Sequence, residues 1–377
     1  YQPTRIVFGD GCVDALGREC QRLGLERVLV VTDRVLRDKT DVVSRVERAL
    51  GNRLGIIYDG VTPDGGVRVI DDGAAVGREH GCDGVVAVGG GSVIDSGKGI
   101  ALVLPEGGSI REHKDAARWS RRQTPHIAIP TTAGTGSEVS RKLSLRDQSN
   151  DNGRLYLADD RLLPTVALLD PSVTLAMPAQ LTAASGVDAL THAIEALTSR
   201  RCNPIADGLA LQALRLIARW LVAACEDGTS RVARGQMLLG AHAAGLASAA
   251  AGTGLAHAMA HVVGARHGVH HGMAKAISLP HVIRGNAAQL GSARYRQVAE
   301  ALGLDASGLG DALVGEAAAQ AVAHLLTRLQ LPARLRDVGV PEPDLPALAE
   351  ATVAEMARAD TGVLDVGRVL PIYRNAY

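Results

Sequence analysis

Short runs of β-branched and aliphatic residues recur through the first half of the chain, each followed by a stretch of helical periodicity. Arg27–Thr32 (RVLVVT), Leu54–Tyr58, Gly84–Val88 (GVVAV), His126–Pro130 (HIAIP) and Val166–Asp170 (VALLD) read as strands. Helices are predicted near Asp41–Leu50, over Val67–His80, and from about Val93 after a glycine turn. Such alternation, with strands apolar throughout, predicts a parallel sheet with helices on both faces. Beyond Pro178 alanine and leucine dominate, helical periodicity persists and strand-like runs are scarce. The expected architecture is therefore an α/β N-terminal domain with a parallel sheet over 1–177, then an all-α domain over 178–377. The boundary rests on Asp170-Pro171 and Met177-Pro178, since prolines mark helix starts and stops. No internal repeat or low-complexity linker interrupts the pattern.

Composition narrows the class. The 377 residues carry 40 basic and 40 acidic side chains, a formal net charge of +0, which argues against a nucleic-acid binder. With two Trp, six Tyr and one Phe, the core must be aliphatic. Cys12, Cys20, Cys82, Cys202 and Cys225 are odd in number and scattered, without a CxxC pair. A reducing, cytoplasmic compartment is the simpler expectation than a disulfide framework or zinc finger. The chain opens at Tyr1 rather than Met, so a trimmed start is expected, and no signal-peptide pattern is seen. Ala243–Ala265 lacks Asp, Glu, Lys and Arg and is long enough to span a bilayer. It is mostly alanine and glycine and carries His257 and His261, so one buried helix is expected there and no membrane association.

Two glycine-bearing loops follow predicted strands. Gly89-Gly90-Gly91-Ser92 precedes a helix, a context in which backbone N–H groups and the helix N-terminus cradle a phosphate. A tight strand-to-helix turn is the plain alternative. Pro130–Glu138 (PTTAGTGSE) offers the hydroxyls of Thr131, Thr132, Thr135 and Ser137. Two such loops at strand C-termini would face one crevice, where open α/β sheets bind ligands, and together they favour a nucleotide. Asp33, just past the first RVLVVT strand, either accepts hydrogen bonds from an adenosine ribose, repelling a 2′-phosphate, or caps a helix. Arg34 beside it would blunt that discrimination.

In the helical half, Asp188 and His192 are four apart and share a helix face, as two ligands of one metal must. His257 and His261 repeat the spacing, and five of the twelve histidines lie between 257 and 271, including His267, His270 and His271. A lone histidine reads as a satisfied buried one. Two unpaired imidazoles in an apolar helix would be costly, which points to a shared cation. A carboxylate with imidazoles suits Fe(II) or Zn(II) rather than Ca²⁺.

These residues resemble the iron-containing, or group III, alcohol dehydrogenases over nearly the whole chain. The matching stretches are Tyr58–Val61, GGGSVIDSGKGIA from Gly89 and PTTAGTGSEVS from Pro130. They continue in GVDALTHAIEALTS from Gly186, Asn203-Pro204 with Asp207, HAMAH from His257 and LPHV from Leu279. The resemblance implies a dinucleotide-binding domain and a metal-binding catalytic domain on the plan shared with dehydroquinate synthase. It implies Asp188, His192, His257 and His271 as metal ligands, with His261 as the active-site histidine that does not ligate. His270 stands where the family commonly has proline. The resemblance assigns Asp33 to NAD preference, Gly90, Gly91 and Ser92 to the pyrophosphate, and Asp95 and Lys98 to the helix behind it. Thr131, Thr132 and Thr135 belong to the second loop. Arg154 stands in place of a lysine that contacts the cofactor ribose. Asp64-Gly65 replaces a usual Asn-Pro, and Asp360-Thr361-Gly362 replaces an Asn-Pro-Arg stretch.

The implied reaction is reversible hydride transfer between NAD(H) and a small alcohol or aldehyde, in a cleft between the domains. Fe²⁺, or alternatively Zn²⁺, would act as Lewis acid and His261 as proton relay. A zinc polyol (glycerol-type) dehydrogenase or dehydroquinate-synthase-like lyase is the rival inside the superfamily, usually with three ligands; His257 separates them. A non-catalytic metal- and nucleotide-binding protein is the rival from another class. A homodimer is expected from the commonness of symmetric oligomers. Lys142, in the segment that lines the family's substrate pocket, suggests an anionic substrate with a carboxylate or phosphonate. The plain alternative has it facing solvent on an edge strand.

Overall fold

The computed structural model describes residues 4–63, 65–114, 123–147, 154–290, 292–358 and 365–377. Asp64 and Asp360–Gly362, two of the departures noted above, lie outside them. The chain divides into two compact units, Tyr1–Met177 and Pro178–Tyr377.

The first unit contains strands β1 (Arg5–Phe8), β2 (Val28–Val31), β3 (Leu54–Tyr58), β4 (Gly84–Gly89), β5 (His126–Pro130), β6 (Lys142–Arg146), β7 (Arg154–Ala158) and β8 (Val166–Leu169). Its helices are α1 (Leu16–Arg22), α2 (Arg34–Lys39), α3 (Val42–Leu50), α4 (Val67–Glu79) and α5 (Gly91–Glu106). Six strands form one sheet in the order β1-β8-β5-β4-β2-β3, and every pairing in it is parallel. Alternation decides which face each side chain enters. Leu29, Val31, Val85 and Ala87 pack into one cluster with Ile70, Ile100 and Val103. Val28, Val30, Val86 and Val88 pack into the other with Val46, Ile127 and Leu168. The central strands β2, β4 and β8 are thus buried on both sides, which is why they are apolar at every position. β6 and β7 form a separate antiparallel pair with Lys142 opposite Ala158 and Arg146 opposite Arg154. Its inner residues Leu143, Leu145, Leu155 and Leu157 join the first cluster, leaving Lys142 and Arg146 on the exposed face.

Among its described residues the second unit has helices and no strand: α6 (Ala179–Leu197), α7 (Pro204–Glu226), α8 (Arg231–Ala251), α9 (Leu255–His267), α10 (His271–Leu290), α11 (Ser292–Ala301), α12 (Asp311–Arg328), α13 (Leu345–Arg358) and α14 (Val366–Asn375). The predicted α/β-then-α architecture is observed. α6 is buried at every position from Thr182 to Leu197, so it is the axis of this unit. Asn203 and Ser230 cap α7 and α8 by accepting N–H bonds from Ala206 and Ala233. α7 is long and apolar enough to cross a membrane, but its buried face, from Ala206 through Leu214 to Val222, is packed inside this unit.

One expectation fails. The uncharged stretch Ala243–Ala265 is not one helix: α8 and α9 are bent by 103° across the break at residues 252–254. Gly252 sits at φ +85, which favours glycine, and a Cβ there would lie 2.4 Å from the Arg201 guanidinium. Hydropathy did not reveal the break, because alanine and glycine are apolar in either geometry.

Gly272, one residue into α10, closes the unit. A Cβ there would lie 2.1 Å from the Ala184 carbonyl oxygen on α6, and backbone cannot yield as a side chain tip does. Gly272→Ala is expected to destabilise the protein by about 1–3 kcal/mol, the usual range for overpacking. Chemical denaturation of both proteins checks it, with an unchanged midpoint as the contrary result.

Candidate metal centre and nucleotide loops

Three residues far apart in sequence meet in the second unit. The ligand atoms of Asp188, His192 and His257 lie within 4.8 Å of one another, and all three side chains are buried. Asp188, His192 and Glu195 fall at i, i+4 and i+7 on α6, one face of the helix. His257 occupies the first turn of α9, which the bend at Gly252 directs back toward α6.

Glu195 fixes this arrangement. Its carboxylate accepts N–H bonds from Gly254 at 2.6 Å and Ala256 at 2.7 Å, capping α9. It also takes the His257 Nδ1–H at 2.5 Å. With Nδ1 committed as donor, His257 presents its Nε2 lone pair, the geometry of a carboxylate–histidine–metal chain. Among the described residues, that Nε2 and the His192 Nδ1 are buried without a hydrogen-bond partner. Buried lone pairs are rarely left so, and two that converge beside a carboxylate fit a borderline divalent cation.

Electrostatics keep the donors in ligand form. Burial pulls His192 down to about 4, with Lys275 adding to the effect and Asp188 opposing it. Burial and Lys275 also hold His257 well below its ordinary value. Burial alone would raise Asp188, yet Lys275, His192 and His257 together hold it below the usual carboxylate range. Burial raises Glu195, against the Gly254 N–H and Lys275. Both imidazoles are therefore neutral at pH 7 and Asp188 is ionised.

His271 stands outside the three-residue cluster; its ring lies 4.7 Å from that of His261, centroid to centroid. The adjacent His270 is exposed and its Nδ1 accepts the Gly272 N–H, closing the first turn of α10. His261, one turn along α9 from His257, makes a 3.2 Å hydrogen bond through Nδ1 with Glu355 of α13. Sequence reading missed Glu195, Lys275 and Glu355. Glu195 and Glu355 read as ordinary helix glutamates, because their partners lie 62 and 94 residues away. Only the i+7 offset of Glu195 from Asp188 hinted at a shared face.

In the first unit, the strand order reverses between β2 and β4: β3 lies outside β2, while β4, β5 and β8 follow on the other side. Ligands of open α/β sheets bind beyond the strand ends at such a switch point. Asp33 follows β2 and the Gly89–Ser92 loop follows β4, so they flank it. The two glycine loops touch: a Cβ on Gly91 would lie 2.6 Å from Thr135 and one on Gly90 3.4 Å from Thr132. Gly90, the N-cap of α5, has no side chain to cap that helix start, a kind of terminus that favours an anion. Asp33 accepts the Leu36 N–H at 2.9 Å, so the helix-cap reading holds, through one of its two oxygens. Arg34 is drawn to Asp59, at 3.9 Å, as is Arg37 at 2.7 Å. Lys98 is buried and donates to Asp95 and to the Lys142 carbonyl, both at 2.9 Å, tying α5 to β6. Arg154 donates to Ser144 Oγ at 2.9 Å across the hairpin.

Residues 3–171 match the iron-containing alcohol dehydrogenase family, and residues 182–377 match the Fe-containing alcohol dehydrogenase family, C-terminal. The chain is 38% identical over 358 residues to a 1,3-propanediol dehydrogenase of Klebsiella pneumoniae, covering 94% of this chain and 92% of that one. A crystal structure of a 1,3-propanediol oxidoreductase superposes with a TM-score of 0.94 at 36% identity, over 100% of this chain and 98% of the other. The sulfoacetaldehyde reductase of Bifidobacterium kashiwanohense, solved with NAD⁺, superposes with a TM-score of 0.88 at 28% identity, over 100% and 97%.

Truncating Asp188, His192 or His257 to Ala is expected to cut bound metal from near one equivalent to a small fraction, since each removes a converging donor. His261→Ala is expected to retain it. Elemental analysis after gel filtration reads both outcomes; the reverse pattern for His257 and His261 would exchange their roles.

Proposed function

The chain belongs to the iron-containing alcohol dehydrogenase family and is an alcohol/aldehyde oxidoreductase, and we propose that it moves a hydride reversibly between NAD(H) and a small, preferentially anionic, aldehyde or alcohol. The observation that carries this reading is the buried Asp188–His192–His257 cluster with its two orphaned imidazole nitrogens.

In this reading Asp188, His192, His257 and His271 hold Fe²⁺, or Zn²⁺ in its place. When bound, the metal supplies Lewis acidity toward the substrate oxygen, and the nicotinamide supplies or accepts the hydride. Glu195 keeps His257 in the ligating tautomer. His261, its Nδ1 turned to Glu355, holds and releases the reaction's proton at Nε2. The first unit binds the coenzyme. The N–H groups after Gly90, with Gly91 and Ser92, take the pyrophosphate, and Thr131, Thr132 and Thr135 line the second side of that cradle. Asp33 accepts from the adenosine ribose through the oxygen that Leu36 leaves open. Buried Lys98 acts by holding Asp95 and the start of β6 in place, and Arg154 replaces a ribose-contacting lysine.

The anionic preference is supported by the cationic residues on one face of the β6–β7 pair, Lys142 at one end and Arg146 opposite Arg154 at the other. The similar sulfoacetaldehyde reductase is named for an aldehyde with a sulfonate. We also assign the protein to the cytoplasm, on its five free cysteines. A homodimer is supported by the edge strand β1, which leaves Ile6 and Phe8 37% and 44% exposed.

NAD(H) is expected to be preferred over NADP(H), because Asp33 would face the extra phosphate while Arg34 is engaged with Asp59. Asp33→Gly is expected to shrink the kcat/KM ratio about tenfold or more, the effect of roughly one pK unit of like-charge repulsion. A wild type favouring NADPH would contradict this.

The substrate class is tested by NADH oxidation with an aldehyde panel after Fe²⁺ or Zn²⁺ reconstitution. A short aldehyde with a terminal carboxylate or phosphonate is expected to surpass its neutral counterpart of equal length in kcat/KM, and Lys142→Ala to narrow that ratio several-fold. Equal efficiencies, or an unchanged ratio in the variant, would leave a general small-alcohol dehydrogenase. No turnover with any aldehyde would remove the dehydrogenase reading.

A further inference from the structure

The centre contains a charge that the reaction above does not use. Lys275 lies one helical turn beyond His271 on α10, so both project from one face of that helix. Its side chain is only 1% exposed, and its ammonium is paired with Asp188 Oδ1. Asp188 is also the sole carboxylate in the three-residue cluster. An ammonium has three donors and no lone pair, so it cannot join the ligand set. It can hold the carboxylate that a cation would hold, and it repels that cation at short range in a medium that screens poorly.

Two features make the pair more than a chance contact. A buried carboxylate beside two neutral imidazoles carries an uncompensated charge unless some cation meets it, and Lys275 does so from within the chain. The lysine approaches from α10, whereas Asp188 and His192 come from α6 and His257 from α9. The ion pair therefore ties two of the three helices without requiring a metal.

Resting on the metal-centre reading, we propose that Lys275 is a resident cation: it neutralises Asp188 in the metal-free protein and competes with the metal for that carboxylate. The chain then stays folded when stripped of metal, and it binds its metal less tightly than the same donors would without the lysine. Removing an outer partner of a metal site commonly lowers affinity; here the sign is reversed, which separates this role from that of an orienting partner.

The test uses the full chain stripped with chelator and titrated with Zn²⁺ against a competing indicator. Wild type, Lys275→Gln, Lys275→Met and Asp188→Ala are compared, with thermal unfolding of each in both metal states. Lys275→Gln keeps a donor for Asp188 without the charge, so it reports even where Lys275→Met fails to fold. Zn²⁺ affinity is expected to rise about 10–100-fold in the lysine variants, the scale of outer-partner effects on metal sites. The metal-free variants are expected to melt lower than metal-free wild type, with the deficit removed by Zn²⁺. Affinity that Asp188→Ala abolishes but that is unchanged or weaker in the folded lysine variants overturns the role of Lys275 alone. Equal Zn²⁺ affinity in wild type and Asp188→Ala overturns the metal centre and this proposal with it.

Discussion

The Glu195 carboxylate is the constraint on which the second unit's centre depends. It is buried on α6, yet its three partners are the first amides of α9 and the His257 ring. A helix N-terminus inside a protein needs acceptors for its free N–H groups, and each one left bare costs about 1–3 kcal/mol. One side chain meets that need, sets the tautomer of His257 and joins α9 to the helix that bears Asp188 and His192. The 103° bend between α8 and α9 matters for the same reason, because it gives the chain a helix start where the carboxylate lies. Capping of α9 and orientation of the His257 ring are therefore one interaction.

Much of the first unit was legible because local pattern and global fold agree there. Gly84–Gly89 can only be a strand, and its alternate residues serve two separate clusters, as a sheet covered on both faces requires. β1 escaped notice: four residues with mostly exposed side chains carry little periodicity, and the strand is recruited by pairing with β8, about 160 residues on. The Asp188–His192 spacing was legible because both residues share one helix face. Glu195 and Lys275 were not, because a glutamate and a lysine on helices are ordinary until the fold shows what they meet. Even the correctly drawn uncharged stretch misled about shape, since hydropathy measures burial and not direction.

The two units solve different electrostatic problems. The first starts α5 at a glycine, between loops small enough to touch, a helix N-terminus that suits an anion. The second gathers lone pairs and a carboxylate under low exposure, which suits a cation. Their buried lysines reflect the difference: Lys98 is spent on a neighbouring aspartate and a carbonyl as a fastening, whereas Lys275 sits on the central carboxylate itself.

His257 and His261 are one turn apart on α9, yet each is served by a carboxylate from a different helix, Glu195 of α6 and Glu355 of α13. The two rings therefore have separate controls. Sequence drift in α13 can retune the His261 ring while α6 keeps its hold on His257, and change in α6 can proceed without touching the contact to α13. Under the roles proposed for the two rings, proton transfer and cation binding would then answer to different helices.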